Sequence, residues 1–244
     1  MSVSGARRGA SPFLSIAVLA ILLGAVYLSG IGAEIARYWE DVVYLTQQHI
    51  ELVAISGSLG ILAGIPTGIL LSRPFMRGAA ETIMQVFNVG TTIPTLAVLA
   101  LSMSFLGIGT TPAIFGLFVA TLLPIVRNTY VGLLAVPPHL KEAATGMGMT
   151  PVQILVRVEL PNALYVIFAG IRTALAVNVG TAPLAFLIGG GGLGELIFTG
   201  IDLMEPGMLL AGAVPTALLA VLVDFMVGQG QFWLIPRGVN PLRA

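Results

Sequence analysis

Six stretches of this chain, residues 13–29, 52–71, 86–106, 112–133, 163–187 and 208–227, run for nearly the length of a membrane span with scarcely a charge. A helix needs about 20 apolar residues to cross roughly 30 Å of hydrocarbon. Lipid offers no partner to backbone N–H and C=O groups, so such stretches must satisfy their own as helices. With 57% hydrophobic and 9% charged residues, the chain also has too few charges to solvate a globular surface. The expectation is an all-α integral membrane protein with about six transmembrane helices in a single domain over residues 1–244.

The apolar runs and polar breaks set the boundaries: a tail at 1–12, the first span at 13–30, an external interfacial segment at 31–49 and spans two to four within 50–135. A polar loop at 136–162 follows, then spans five and six within 163–228 with a glycine-rich external loop at 188–206, and a tail at 229–244. Arg7 and Arg8 precede the first apolar run as they would in a signal peptide. That run is longer than the roughly 7–15 residues of a cleavable core, so it is expected to stay as an anchor. Tyr38 and Trp39 suit an aromatic belt.

Charge sets the orientation. Arg7, Arg8, Arg73, Arg77, Arg127, Lys141, Arg157, Arg237 and Arg243 fall on the face that the termini would share with the 136–162 loop. Glu34, Glu40, Asp41, Glu195, Asp202 and Glu205 fall on the other, with Arg37. Basic residues stay inside, so both termini and that loop are expected to be cytoplasmic.

The long polar interruption is LKEAATGMGMTPVQILVRVELP, residues 140–161. Pro137 and Pro138 can open a helix, Gly148 breaks it, and Thr150, Pro151 and Gln153 form the N-cap, first position and capping-box partner of a second helix. Pro161 is expected to end that second piece. Two short helices at a glycine elbow, with a charged face and a small-residue face, describe a docking surface.

Within the spans, Ser56, Gly60, Gly64, Gly68 and Ser72 recur every fourth residue and lay a small-residue stripe on one helix face, for packing within the chain or along a dimer seam. The tetrapeptide Asn-Val-Gly-Thr occurs at 88–91 and again at 178–181, each time shortly before a proline, Pro94 or Pro183. Asn88, Thr91, Asn178 and Thr181 are thus candidates either for lining a polar path or for packing. Arg172 must snorkel or face a polar cavity, with Asp224 as a possible partner.

Several chemistries are excluded or disfavoured. There is no cysteine, no GxxxxGK[ST] phosphate loop and one lysine, and the net formal charge is zero. No nucleic-acid partner, catalytic set, cofactor site or metal site is therefore expected. His49 and His139 are isolated and read as interfacial histidines. Gly189, Gly190, Gly191, Gly192 and Gly194 contain GxGxxG without any surrounding βαβ pattern, and read as a mobile external hinge.

Glu142-Ala143-Ala144, three residues, Gly148, nine residues, then Val158-Glu159-Leu160-Pro161 resembles the EAA loop of binding-protein-dependent ABC importer permeases, with Val158 in place of the usual isoleucine. GIPTGILLSR, TIPTLAVLAL and GIRTALAVNVGTAPLAFLIGGGGLGELIFTGI also look like the permeases of glycine betaine, carnitine and choline uptake systems. The resemblance implies a type I ABC importer permease fold with cytoplasmic coupling helices in a bacterial cytoplasmic (inner) membrane. It implies a non-catalytic subunit whose partners are two ATPase subunits, a second permease copy or paralogue, and a separate extracytoplasmic solute-binding protein. ATP and Mg belong to the ATPase. Glu142, Ala143, Ala144, Gly148, Leu160 and Pro161 would carry the coupling. An amino-acid permease of the same class, and less so a secondary transporter, are the competing readings.

Overall fold

In the computed structural model, Gly24 and residues 31–239 are described, and the first expected span at 13–30 lies outside them except for that glycine. Every regular element among the described residues is helical. Helix α1 (Ile31–Arg37) leads into α2 (Trp39–Leu71). At about 1.5 Å per residue, α2 is roughly 50 Å long, more than a bilayer core requires. The expected interfacial segment is therefore largely the N-terminal extension of α2, on which Trp39 is exposed.

The third span differs from the continuous helix expected at 86–106. It is two helices, α3 (Arg77–Gly90) and α4 (Thr95–Leu106), bent by 99° at the Thr-Thr-Ile-Pro break. Pro94 has no N–H to donate and disfavours helix in the residue before it. The Thr91 and Thr92 hydroxyls bond back to the carbonyls of Asn88 and Val89, each at 2.7 Å, and close the end of α3.

Helix α5 (Thr110–Leu134) runs alongside α2 in the same direction. The stripe on α2 faces it: Gly60 meets Thr121, Gly64 meets Ile125 and Gly68 meets Thr129. Of the two uses of the stripe, packing within the chain is the one seen.

After α6 (Pro138–Gly146) and α7 (Pro151–Ile154), the chain does not stop at Pro161 as expected. A π turn at Leu155–Glu159 runs directly into α8 (Leu160–Thr181) and a 3₁₀ segment at Ala182–Ile188, one continuous span. Pro161, which has no N–H, falls in the first turn of α8, where proline is tolerated. Leu160 N–H bonds five residues back to Leu155, and the Asn162 side chain donates to the Val158 carbonyl at 2.7 Å. Helices α9 (Gly194–Asp202) and α10 (Pro206–Leu234) complete the layout.

Four of these helical stretches are long and apolar enough to cross a membrane, and the bent α3–α4 pair makes a fifth if it counts as one span. The buried core has two main clusters: Leu52, Leu99, Leu117, Val179 and Ile188 toward the glycine turn, and Ile125, Leu133, Ala163, Ile167 and Ala174 toward the 136–162 loop.

Candidate coupling surface and membrane path

The α6–α7 hairpin is built as its sequence chemistry requires. Thr150 Oγ1 accepts from Gln153 N at 3.4 Å, and Gln153 Oε1 accepts from Thr150 N at 2.9 Å, a reciprocal capping box with Pro151 at the first position. Helix α6 ends where Met149 N bonds Ala144 O at 3.1 Å and Gly148 N bonds Thr145 O at 2.9 Å. That closure places the residue at 148 at φ +78°, a left-handed conformation that glycine adopts without strain.

Ala144 is 1% exposed and seats the hairpin, while Glu142 and Ala143 are exposed. Met147, Val152 and Val156 add exposed apolar surface. Leu160 packs on the Ile125–Leu133–Ala163 cluster and Pro161 is half-buried, so these two belong to the root of the hairpin rather than its tip.

Glu159, in the motif's unspecified position, is the residue that sequence reasoning missed. It is 7% exposed, with Oε2 2.7 Å from Arg73 Nη1. A single acidic residue between Val158 and Leu160 gave no sign of burial, and Arg73 lies far away in the chain.

The five path candidates separate. Asn88 and Thr91 are exposed at the α3–α4 elbow. Thr181 is half-buried, its hydroxyl bonded to Val177 O at 2.9 Å. Asn178 is 2% exposed, and its Nδ2 donates at 2.8 Å to Ser56 Oγ, which donates onward to Leu52 O at 2.7 Å. Here the amide ties α8 to α2. Arg172 pairs through Nε and Nη2 with both carboxylate oxygens of Asp224, joining α8 to α10. Asn178→Leu is accordingly expected to cost about 1–3 kcal/mol of folded stability by leaving Ser56 without its donor. Asn88→Leu should cost none; thermal melts of the two variants in detergent compare them.

His49 is buried inside the protein. It is 1% exposed, and Nε2 lies 3.1 Å from the Val179 carbonyl, because α2 extends past it and α8 covers it. His139 is exposed. The glycine turn is closely packed. Gly189, Gly191 and Gly192 all have positive φ, Gly192 N bonds Gln48 Oε1 at 3.0 Å, and a Cβ on Gly194 would stand 2.0 Å from the Pro183 carbonyl oxygen. No group of three or more potential metal ligands occurs among the described residues.

A bundle of membrane-length helices with one broken span and a capped helical hairpin projecting from one end has the architecture of a transporter's membrane subunit. Residues 60–232 match the family described as binding-protein-dependent transport system inner membrane component, and the chain belongs to that family.

Relatives and solved structures agree. The chain is 55% identical over 215 residues to the osmoprotectant import permease protein OsmY of Salmonella typhimurium, covering 88% of this chain and 91% of that one. It is 42% identical to the choline transport system permease protein OpuBB of Bacillus subtilis, covering 83% and 93% of the two chains. A structure of the MetNI methionine ABC transporter in an inward-facing conformation superimposes with a TM-score of 0.64 at 26% identity, over 82% of this chain and 96% of that one. An amino acid ABC transporter with histidines shares the fold at 17% identity and a TM-score of 0.64, over 81% and 95%. The chain is thus a multi-pass permease subunit with the type I importer fold.

Proposed function

We propose that this permease forms the membrane path of an ATP-driven importer for a small quaternary ammonium osmoprotectant such as glycine betaine, choline or carnitine. It takes ATP energy through the α6–α7 hairpin from a separate ATPase. The observation that carries this reading is the likeness to osmoprotectant and choline permeases over most of both chains, together with the exposed Glu142–Ala143 face and the glycine elbow.

In this reading two permease chains stand over two ATPase subunits, which bind ATP and Mg. A solute-binding protein docks on the glycine-turn side, and both termini and the hairpin are cytoplasmic. The permease itself performs no catalysis. Closure of the ATPase dimer brings the hairpins together and swings the spans as rigid bodies. Quaternary ammonium groups are held in aromatic cages; this chain is only 7% aromatic, so the cage belongs to the binding protein. Asn88, Thr91 and Thr181 offer polar groups to the path, while Arg172 and Asn178 hold its walls. The glycine turn links the wall helix α8 to α9.

The test is reconstitution with the ATPase and binding protein in liposomes, followed by uptake of betaine, choline, carnitine and an unrelated amino acid. ATP-dependent uptake of one or more of the first three, without the amino acid, is expected. Uptake of the amino acid alone moves the chain to the competing substrate class, and uptake driven by a proton gradient without ATP overturns the reading. Unchanged uptake in both Asn88→Leu and Asn178→Leu at normal expression removes these residues from the path.

A further inference from the structure

A docked partner can move the membrane helices only where the hairpin is fastened to them. Two fastenings are covalent: the run from α5 through Val136 and Pro137 into α6, and the π turn into α8. Helix α2 has no such link, because α3, α4 and α5 intervene in the chain. Glu159 supplies a non-covalent one. Its Oε2 is 2.7 Å from Arg73 Nη1 and its Oε1 is 4.0 Å from Lys141 Nζ.

Arg73, just past the end of α2, is itself held to that helix. Its Nε donates to Ile69 O at 3.1 Å, and its Nη2 donates to Ser72 Oγ at 2.8 Å. The guanidinium is therefore hydrogen-bonded to the last turn of α2 on one side and in ion-pair contact with the root of α8 on the other, while Lys141 brings a second positive charge from α6. One carboxylate meets three elements that converge at the base of the hairpin.

Burying a carboxylate is costly, and apolar packing often stabilises as well as a buried ion pair does. What an ion pair adds is a fixed relative position. The π turn ends on Glu159 itself, so the local departure from α-helix lies at this contact.

We infer that Glu159 is a positioning residue which, through Arg73, passes movement of the hairpin to α2, so that α2 and α8 move together. The inference rests on the coupling role proposed above. Without the contact the hairpin would still dock, but α2 would lag and hydrolysis would proceed without import.

The chain has no cysteine, so an Arg73→Cys/Glu159→Cys double variant carries only the two introduced thiols. It is to be reconstituted with cysteine-free ATPase and binding protein and bridged by a cleavable bis-thiosulfonate linker. ATP hydrolysed per solute imported is then read before and after reduction in the same vesicles. The linked protein should import at the wild-type ratio. Reduction should raise the ratio about tenfold, within the usual range of a coupling free energy between two sites, while the ATPase remains bound. Glu159→Gln should behave like the reduced protein, and if that variant fails to insert, the linked protein still decides. A wild-type ratio in the reduced protein, or a loss of coupling that the linker does not restore, overturns the inference. Failure of the underlying reading is distinct: the wild-type chain would then bind no ATPase at all.

Discussion

Gly148→Val is expected to reduce ATP-driven uptake by roughly tenfold or more while leaving the subunit inserted in the membrane. The expectation follows from the backbone, because a β-branched residue is poorly tolerated in the left-handed region, at a cost of about 1–2 kcal/mol. The residue at 148 sits at φ +78°, and a Cβ there would meet nothing within 4 Å, so the effect is conformational rather than a clash. Valine can relieve the strain only by rotating φ. That rotation carries everything beyond the residue's Cα with it, so it breaks the Met149–Ala144 bond and re-aims α7 relative to α6, while the residue's own N–H keeps its bond to Thr145. Ala144 is buried and holds α6 in place, so the error falls on the docking face. Gly148→Asn is the informative companion, since asparagine enters the left-handed region readily and should retain most uptake. Co-purification with the ATPase separates lost docking from lost hydrolysis. Equal uptake by the valine and asparagine variants would show that the elbow's conformation is irrelevant to coupling.

That elbow was legible in the sequence because everything that makes it is local. Thr150, Pro151 and Gln153 lie within one turn of each other, and the reciprocal cap they form needs no distant partner. The span-length runs were legible for a similar reason: hydrocarbon imposes a length, and polar groups mark its ends. The same logic erred where tertiary contacts could absorb a local signal. Pro161 looked like a terminator, but it sits in the first turn of α8, where proline is tolerated, and the π turn before it runs directly into that helix. His49 looked isolated because no partner lies near it in sequence, but α8 covers it at Val179. Pro94 carried the opposite lesson. It was read only as the proline after the repeated tetrapeptide within one span, but with Gly90, Thr91 and Thr92 before it the helix breaks by 99°. The Arg172–Asp224 pair could be suspected from depth alone, since each charge needed a partner. The Arg73–Glu159 pair could not, because both residues lie in stretches where solvent would have sufficed.

The small-residue stripe sets the strongest constraint on the fold, and Gly68→Ala is the substitution that tests it. A Cβ at this position would stand 2.5 Å from Thr129 Cβ and 2.9 Å from the Val126 carbonyl oxygen. The first contact could be eased by a side-chain shift, but the second is backbone within α5 and cannot move without displacing the helix. Lipid gives no hydrophobic drive for helices to associate, so α2 and α5 are held by close van der Waals approach along this line. Forcing a methyl into such a contact costs about 1–3 kcal/mol. The loss should appear as a lower melting temperature and a smaller folded yield in detergent. Gly64→Ala meets only the Ile125 and Leu122 side chains and should cost less. Adding Thr129→Ala should not rescue Gly68→Ala, because the Val126 oxygen remains. Gly78→Ala, also helical and with nothing within 4 Å, controls for the loss of glycine itself and should raise stability by about 0.5–1 kcal/mol. If Gly68→Ala melts like Gly78→Ala, the two helices are not held along the stripe. The brace at Arg73 would then also need another explanation, because it can pass motion to α2 only if α2 moves as one body with the helix it packs against.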